Sequence, residues 1–325
     1  MAEVTMVKAL NEALRRSLRD DERALVLGED IGKLGGVFRV TEGLQSEFGT
    51  ERVFDTPLAE SAIAGVSLGL ALAGWHPVAE MQFDGFSYPA LDQIISHIAK
   101  YRYRSRGRQT APLVIRIPFA GGIGAAEHHS ESPEAYYAHT AGLKVVVPSS
   151  PVDAYDLLRA SIADPDPVIF FEPKSRYWAK EEGELDGGEP LPIGRARVVR
   201  TGSDCTIFSY GAMVARSVAA AEAASARDVD VEVIDLRSLV PLDLDAIGSA
   251  VRKTGRAIVV HEAPMTAGFG AEVVARIMED AFDYLEAPVV RVTGYDTPYP
   301  PATVESHYLP NVQRILAAVD HVTNY

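Results

Sequence analysis

Cysteine is almost absent from this sequence, which has 325 residues and one cysteine, Cys205. The chain therefore cannot form an internal disulfide or build a zinc site from several thiolates. Long apolar runs are also missing: the longest, residues 62–75, is too short to span a bilayer and is interrupted by Ser67. Residues 1–14 lack the apolar segment of a secretory signal and have the pattern of an amphipathic helix. We therefore expect a cytoplasmic protein that does not span a membrane.

Basic residues are outnumbered, because the sequence has 31 Lys and Arg against 45 Asp and Glu, a formal net charge of −14. Such a charge argues against a nucleic acid or an anionic membrane as the main partner. The segment KYRYRSRGR, residues 100–108, is a local exception in which cations alternate with other residues, among them two tyrosines. It ends a predicted helix, where cations interact favourably with the helix dipole. This position favours a helix C-terminus or a subunit contact over nucleic-acid binding.

Three common ligand-binding motifs are present only in part. GGIGAAE, residues 121–127, has Glu127 where the dinucleotide fingerprint needs Gly or Ala. GEDIGK, residues 28–33, is one residue short of a phosphate-binding P-loop. The pair at 261–262 is followed by Met265 where a zinc-binding helix needs its second histidine. A nicotinamide-binding module is therefore a disfavoured alternative.

Apolar runs typical of buried strands alternate with helical patterns along the chain. Such alternation predicts parallel sheets covered by helices on both faces, an α/β fold. The predicted strands are 77–82, 113–117, 143–147, 168–172, 205–211, 231–237, 256–263 and 289–294, and the predicted helices are 61–74, 88–103, 151–163, 213–226, 243–252 and 270–285. Residues 179–194 are acidic, rich in Gly and Pro and without periodicity. We therefore predict two domains, 1–180 and 195–325, joined by a linker at 181–194.

The segment VFDTPLAESAIAGVSLGLALAGWHPV, residues 53–78, places Glu60 at the start of a run of small and apolar residues. A helix that is apolar on every side is normally enclosed by protein. Thr56 and Pro57 are predicted as its N-cap and first residue, which puts Glu60 in the first turn. The glutamate can serve the helix dipole, or it can be a semi-buried carboxylate held for chemistry. The stretch alone favours the dipole interpretation.

Two adjacent histidines, His128 and His129, lie in the segment 121–139, beyond the predicted strand 113–117. The carboxyl ends of parallel strands are where open α/β sheets place their sites. Histidine titrates near neutral pH and suits proton transfer. Surface histidines on a solvated loop are the alternative. The pairing, in a chain with eight histidines, favours a functional role for one of the two.

Seven segments form a pattern that spans nearly the whole sequence. They are LGEDIG (27–32), GGVFRVTEGL (35–44), FDTPLAE (54–60), AEHHSESPEAYYAHTAGLKVVVPSSP (126–151), VIDLRSLVPLD (233–243), HEAP (261–264) and GYDTPYPP (294–301). Together they resemble the β subunit of the E1 component of 2-oxo acid dehydrogenase complexes. FFEPKSRYW (170–178), the KYRYRS run and GYDTPYP are more similar to the branched-chain enzyme than to the pyruvate enzyme. The resemblance implies a thiamine-diphosphate pyrimidine-binding domain followed by a transketolase C-terminal-like domain.

The resemblance also implies two catalytic residues. The family's glutamate that closes the DTPxxE segment, here Glu60, hydrogen-bonds N1′ of the aminopyrimidine of thiamine diphosphate. This bond favours the imino form, whose N4′ removes the proton from thiazolium C2. His129 precedes Ser130, as in the family's HS pair, and is implied as the histidine that acts during lipoyl acylation. His128 is the second candidate.

Further site residues are implied by their positions in the family's pattern. The residues that match the lining of the pyrimidine pocket are Leu58, Gln82 and Phe86. The residues that match the region where relatives hold a structural K⁺ are Leu113, Ile162, Asp164 and Asp166. Ligands of such an ion are often backbone carbonyls.

The sequence has no GDG segment, which thiamine diphosphate enzymes use with a distant Asn pair to bind Mg²⁺ and diphosphate. The resemblance therefore implies an E1 α subunit that holds Mg²⁺ and the diphosphate, in an α2β2 tetramer with shared sites. The implied reaction is oxidative decarboxylation of a branched-chain 2-oxo acid, with acylation of the lipoyl group of an E2 core. A pyruvate or acetoin dehydrogenase β subunit is the alternative within the family. A non-catalytic assembly subunit is the alternative of a different class.

Overall fold

The computed structural model describes residues 2–185, 188 and 190–325. Their strands form a seven-stranded sheet, a five-stranded sheet and a two-stranded ribbon. The strands are β1 (Ala2–Thr5), β2 (Ala24–Gly28), β3 (Val53–Asp55), β4 (His76–Glu80), β5 (Val114–Phe119), β6 (Lys144–Val146), β7 (Val168–Pro173), β8 (Lys180–Gly183), β9 (Arg197–Arg200), β10 (Cys205–Ser209), β11 (Val231–Asp235), β12 (Ser238–Val240), β13 (Ala257–Pro264) and β14 (Val290–Gly294).

Helices connect most of these strands. The α-helices are α1 (Met6–Asp20), α2 (Leu44–Phe48), α3 (Glu60–Leu72), α4 (Tyr101–Arg104), α5 (Glu134–Ala138), α6 (Pro151–Ala163), α7 (Met213–Ser225), α8 (Leu244–Thr254), α9 (Gly270–Ala281), α10 (Glu305–Tyr308) and α11 (Val312–Thr323). Shorter helical turns are Gly85–Ala90, Gln93–Ile98, Glu127–His129, Lys174–Arg176 and Phe282–Tyr284. Within the described residues, no helix combines the length and the apolar character needed to cross a bilayer.

The seven-stranded sheet has the order β12-β6-β7-β5-β4-β2-β3, and every neighbouring pair is parallel except β12 with β6. All residues of the central strands β5 and β7 are buried, as expected for a parallel sheet with helices on both faces. Strand β12 comes from the second half of the chain, and its Ser238 pairs with Val146 of β6. The two halves of the chain therefore share this sheet.

The five-stranded sheet has the order β14-β13-β10-β11-β9, with an antiparallel pair only at β11 and β9. Side chains of α7 and α11 pack on one face of it with Ile207. Side chains of α8 and α9 pack on the other face with Phe208, in a core that continues to Phe171 of the first sheet. The predicted α/β class with mainly parallel sheets is confirmed.

The predicted strands all form, with ends within two residues of the predicted positions. The predicted helix 88–103 is wrong as a single helix, because it is divided into Gly85–Ala90, Gln93–Ile98 and α4. Pro89 lies inside the first of these turns, and a proline lacks the N–H that a continuous helix needs. Residues 181–183 of the predicted linker lie in β8, which pairs with β1. Residues 186, 187 and 189 of that linker lie outside the described residues.

A buried ionic cluster joins three neighbouring strands of the first sheet. Arg116 of β5 donates two hydrogen bonds to Glu172 of β7 (2.6 and 2.9 Å) and one to Glu80 of β4 (2.6 Å). The hydroxyl of Tyr177 donates to Glu172 at 2.6 Å. Burial raises the pKa of Glu80 against the opposing effect of Arg116. The guanidinium therefore supplies hydrogen bonds and one positive charge to two acids that the sheet buries.

Candidate active site

Functional side chains gather where parallel strands of the first sheet end. Glu29 follows β2, Gln82 and Phe83 follow β4, the loop that carries the histidines follows β5, and Lys174 follows β7. Glu60 begins α3, after the edge strand β3. Because parallel strands end at the same edge of a sheet, residues far apart in sequence meet there.

Glu60 is the first residue of α3 and is 8% exposed. Ala59 holds the N-cap position without a side-chain cap, so the prediction that Thr56 and Pro57 cap and open this helix is wrong. The backbone of Ala59 is non-helical, with φ −163° and ψ 76°, so the helix begins at Glu60 and not at Pro57. Among the described residues, none donates a hydrogen bond to the Glu60 carboxylate. A nearly buried acid without a partner is costly unless a ligand supplies one.

A second acid, Glu29, lies beside Glu60 and is also buried. Burial raises the pKa of Glu29, and the nearby charges of Glu60 and Asp30 raise it further. Its Oε1 atom is buried and has no hydrogen-bond partner in the described residues. Gln82 lies near these two acids, and its Nε2 donates to Asp30 Oδ2 at 3.1 Å. We call Glu29, Glu60 and Gln82 the corner. The corner thus offers unused acceptor oxygens to a ligand that carries N–H groups.

His129 lies in a cluster of aromatic rings next to this corner. Its ring is 4.2 Å from Phe83 and 5.1 Å from Phe86, in edge-to-face arrangements, and 4.1 Å from His128. His129 is half-buried, whereas His128 is exposed. Burial lowers the pKa of His129, and the nearby His128 and Lys174 lower it further. The His129 imidazole is therefore neutral near pH 7 and able to accept a proton.

A buried ion pair lies next to this cluster of rings. Lys174 Nζ lies 2.5 Å from Asp84 Oδ1, and both side chains are fully buried. The other carboxylate oxygen of Asp84 accepts a hydrogen bond from the backbone N–H of Glu131 at 2.7 Å. Burial raises the pKa of Asp84 to about 6, although Lys174 opposes the shift. The pair fixes the backbone just after His129.

Comparisons with known proteins agree over the whole chain. The family "Transketolase, pyrimidine binding domain" matches residues 2–179, and "Transketolase, C-terminal domain" matches residues 194–315. The chain is 56% identical to the "3-methyl-2-oxobutanoate dehydrogenase subunit beta" of Mycobacterium tuberculosis, covering 98% of this chain and 92% of that protein. It belongs to the E1 β subunits of 2-oxo acid dehydrogenase complexes. The predicted oxidoreductase class and family are thereby confirmed.

Other E1 β relatives are nearly as similar. The "Pyruvate dehydrogenase E1 component subunit beta" of Leifsonia xyli is 55% identical, covering 98% of this chain and 95% of that protein. The Bacillus subtilis protein of the same name is 48% identical, covering all of both chains. A solved structure titled "Split gene transketolase, inactive beta4 tetramer" has a TM-score of 0.83 at 23% identity, covering 99% of this chain and 98% of that one. This last likeness shows the transketolase-type fold.

The E1 β chain brings some of the predicted site residues together and leaves others apart. Glu60, Gln82, Phe86 and His129 lie around one corner. Leu58 is 79% exposed. The residues that sequence reasoning missed are Glu29, Phe83, Asp84 and Lys174. Each follows a strand of the first sheet, which is the signal that could have found them.

The residues predicted to match a K⁺ site lie at the opposite ends of the strands of the first sheet: one precedes β5, one lies in the last turn of α6, and two lie between α6 and β7. They are Leu113, Ile162, Asp164 and Asp166. Lys144 Nζ lies 2.5 Å from the Asp164 carboxylate, and Arg102 Nε lies 2.5 Å from the Asp166 carboxylate. Among the described residues, no group of His, Cys, Asp or Glu could hold a metal ion. Any K⁺ here would therefore depend on backbone carbonyl oxygens.

Helix α3 of this E1 β subunit has an apolar face that its own chain leaves uncovered. The exposed residues along that face are Ala62, Val66, Gly69 and Ala73. Val66 is 52% exposed, and a Cβ atom added at Gly69 would meet nothing within 4 Å. On another side, Gly65 lies close to Gln93 of the same chain. The face is small and apolar, as a closely packed helix contact requires.

Proposed function

We propose that this chain is the β subunit of a thiamine-diphosphate-dependent E1 that oxidatively decarboxylates branched-chain 2-oxo acids and acylates the lipoyl group of an E2 core. The observation that carries the proposal is the Glu60 carboxylate, nearly buried, without a hydrogen bond in the described residues and beside a second buried acid, Glu29. A carboxylate that served only the helix dipole would be better placed in water. A non-catalytic assembly subunit has no use for such a pair.

The corner suits an aminopyrimidine. Glu60 would accept a hydrogen bond from N1′, while Gln82 and Phe86 would line the ring and Leu58 would close it from the exposed side. Bound thiamine diphosphate supplies the nucleophilic carbon and the electron sink for decarboxylation. Glu60 would hold a proton at N1′, and α3 would exclude water from that hydrogen bond, which strengthens it. The unpartnered Oε1 atom of Glu29 supports this fit, as does the Glu60 carboxylate, which accepts no hydrogen bond in the described residues.

His129 would serve the transfer of the acyl group to the lipoyl sulfur. Because burial lowers its pKa, its neutral imidazole can take up a proton released at the reacting centre and deliver it to the sulfur that leaves as a thiolate when the lipoyl disulfide bond breaks. Edge contacts with Phe83 and Phe86 restrict its ring. His128 is exposed and makes its nearest ionic contact with Glu127, at 3.5 Å, so it is the weaker candidate.

An E1 α subunit would supply the other half of each site. The chain has no GDG segment, so Mg²⁺ and the diphosphate would be held by the α subunit in a cytoplasmic α2β2 tetramer. The uncovered apolar face of α3 begins next to Glu60, which supports a partner chain at this position. We also propose the domain division 1–180 and 195–325, and a structural K⁺ held by backbone carbonyls near residues 113 and 162–166.

The substrate proposal depends on sequence segments as well as relatives. The sequence identity of this chain to the Mycobacterium tuberculosis subunit is 56%, and its identity to the Leifsonia xyli pyruvate dehydrogenase subunit is 55%. Identity alone therefore does not distinguish the two substrates. FFEPKSRYW, KYRYRS and GYDTPYP favour the branched-chain enzyme. A pyruvate or acetoin dehydrogenase β subunit is the second candidate, supported by the 55% identical relative.

Co-expression with the α chain of the complex tests the proposal. The purified complex is assayed with an artificial electron acceptor on 3-methyl-2-oxobutanoate, 4-methyl-2-oxopentanoate, pyruvate and acetoin. We expect the highest kcat/KM with the branched 2-oxo acids. A preference for pyruvate or acetoin would select the second candidate. If the tetramer assembles but shows no turnover, with or without E2, this result would favour a non-catalytic assembly subunit.

A further inference from the structure

The loop that carries the histidines is tied to the second half of the chain. We call residues 121–129 the histidine loop and residues 295–309 the strap. Backbone N–H groups of Gly122 and Gly124 donate to the same oxygen, Glu305 Oε1, at 3.0 and 3.3 Å. The N–H of Gly121 donates to Glu262 Oε2 at 3.0 Å. Three amides of the loop therefore depend on acids that lie far away in the sequence.

The loop is shaped to receive a carboxylate. Gly122 and Gly124 have positive φ angles, 88° and 69°, a conformation that turns nearby N–H groups toward one anion. Both glycines are exposed, so the loop itself buries little surface that could fix it. A carboxylate that accepts two such bonds is a strong restraint, because hydrogen bonds to a charged group exceed those between neutral groups.

The strap holds Glu305 in place. The buried hydroxyl of Tyr299 donates to Glu305 Oε1 at 2.7 Å, and the Tyr299 ring lies 5.0 Å from that of Tyr308. A Cβ atom at Gly121 would lie 1.7 Å from the Tyr299 hydroxyl, so the strap lies directly against the loop. Burial and the Glu305 charge raise the pKa of Tyr299, so its hydroxyl stays a donor.

The first domain holds the other end of the histidine loop. The His128 carbonyl lies so close to Gly85 that a Cβ atom there would be 2.4 Å from it. Phe83 and Phe86 contact the His129 ring. The histidine therefore lies between a fixed end in its own domain and an exposed arm that Glu262 and the strap restrain.

We propose that Glu305 is a positioning residue: by binding the amides of Gly122 and Gly124, it holds the histidine loop so that His129 meets the lipoyl group. This inference rests on the proposed role of His129. Glu305 acts through the loop and touches no reacting atom. Its loss should slow acyl transfer to lipoyl without slowing decarboxylation.

The test uses the α2β2 tetramer with Glu305→Ala, Glu305→Gln, Tyr299→Phe, His129→Ala and a control, Glu222→Ala. Glu222 is an exposed acid of α7 with no hydrogen bond in the described residues. Three quantities are measured: amide hydrogen exchange of residues 121–129, kcat and KM for acylation of a free lipoyl domain, and turnover with an artificial acceptor.

Glu305→Ala should speed exchange at the loop amides by about tenfold or more, since charged hydrogen bonds are lost. It should lower the acylation kcat by about fivefold or more, while KM for the lipoyl domain and artificial-acceptor turnover stay within about twofold. Glu305→Gln keeps an acceptor oxygen but loses the charge, so it should recover only part of both losses. Tyr299→Phe should give a smaller effect of the same kind, and Glu222→Ala none.

Unchanged loop exchange in Glu305→Ala would overturn the inference, as would faster exchange with a normal acylation kcat. If Glu305→Ala fails to assemble, Glu305→Gln and Tyr299→Phe replace it as the test. Normal loop exchange and a normal acylation kcat in both variants would then overturn the inference. If His129→Ala itself shows no selective loss of acylation, the proposed role of His129 is wrong and the catalytic part of this inference falls with it. The exchange result then stands alone as a statement about the loop.

Discussion

At the scale of single residues, Glu60 is the most direct test of the site. We predict that Glu60→Gln lowers turnover of the α2β2 tetramer by at least about a hundredfold, because an amide cannot hold the proton at N1′. Assembly and thermal stability should change little, since the side chain keeps its shape and its carboxylate has no hydrogen bond to lose in the described residues. Glu222→Gln, at an exposed acid, is the matched control. A near-normal rate in Glu60→Gln would indicate that Glu60 serves only to interact with the helix dipole.

His129 should affect a later step than Glu60. We predict that His129→Ala reduces the overall reaction with E2 by about a hundredfold, and artificial-acceptor turnover by much less, because acyl transfer needs the proton at the sulfur. His128→Ala is the neighbouring control and should stay close to wild type, since that ring is exposed. Equal losses of His129→Ala in both assays would assign the histidine to decarboxylation.

The sequence identifies Glu60 and His129 only through their surrounding motifs. Composition and spacing alone favoured the dipole interpretation of Glu60, because burial depends on strands and helices that meet only in the fold. Glu29 was missed because its strand, β2, was not predicted, so its position at the end of a buried strand was not recognised. The Thr56 cap was predicted from residue type, yet the backbone of Ala59 delays the helix.

At the scale of elements, the exposed face of α3 is the feature that one chain does not explain. We predict that Val66→Arg weakens assembly with the α subunit by at least about a hundredfold, because an unpaired charge would be buried at the contact. The free energy of unfolding of the isolated chain should change by less than about 0.5 kcal/mol, as for other surface changes.

Val198→Arg is the matched control, since Val198 lies on β9 and is 51% exposed against 52% for Val66. Both variants are compared by sedimentation with the α subunit and by thermal unfolding alone. Normal assembly of Val66→Arg would place the partner elsewhere.

The ionic cluster across β4, β5 and β7 should behave as a unit. We predict that Arg116→Met destabilises the fold by about 3–5 kcal/mol, because Glu80 and Glu172 would remain buried without their cation. Adding Glu80→Gln and Glu172→Gln should recover part of the loss. Arg227→Met, which removes an exposed ion pair with Asp320, is the control and should change little. Denaturant unfolding of each variant measures the difference.

Continuous apolar runs could be predicted from the sequence, and elements that form through contacts with distant parts of the chain could not. β5 and β7 are continuous buried runs whose pattern needs no knowledge of their neighbours. β12 has three residues and pairs only because the chain returns to the first sheet. The division of helix 88–103 was missed, because the apolar spacing continues through all three segments.

At the scale of the whole molecule, a chain that folds completely can still hold only part of a site. The two sheets share a core and β12, so each half of the chain stabilises the other. Glu305 of the strap also binds two amides of the histidine loop, which joins the two halves of the chain at a second place. The second half of the chain therefore restrains a loop of the first half, although the sequence predicts two separate units.

The last prediction concerns the isolated chain. With thiamine diphosphate and Mg²⁺ added, the purified β chain should not decarboxylate any 2-oxo acid, because it has no GDG segment to bind the metal and the diphosphate. Because Glu60 and His129 already have their positions in the folded chain, we expect addition of the α subunit to the same preparation to restore turnover. That restoration is the control against a misfolded sample. Robust turnover by the β chain alone would mean that this chain binds the diphosphate through other residues, and the shared-site argument would fail.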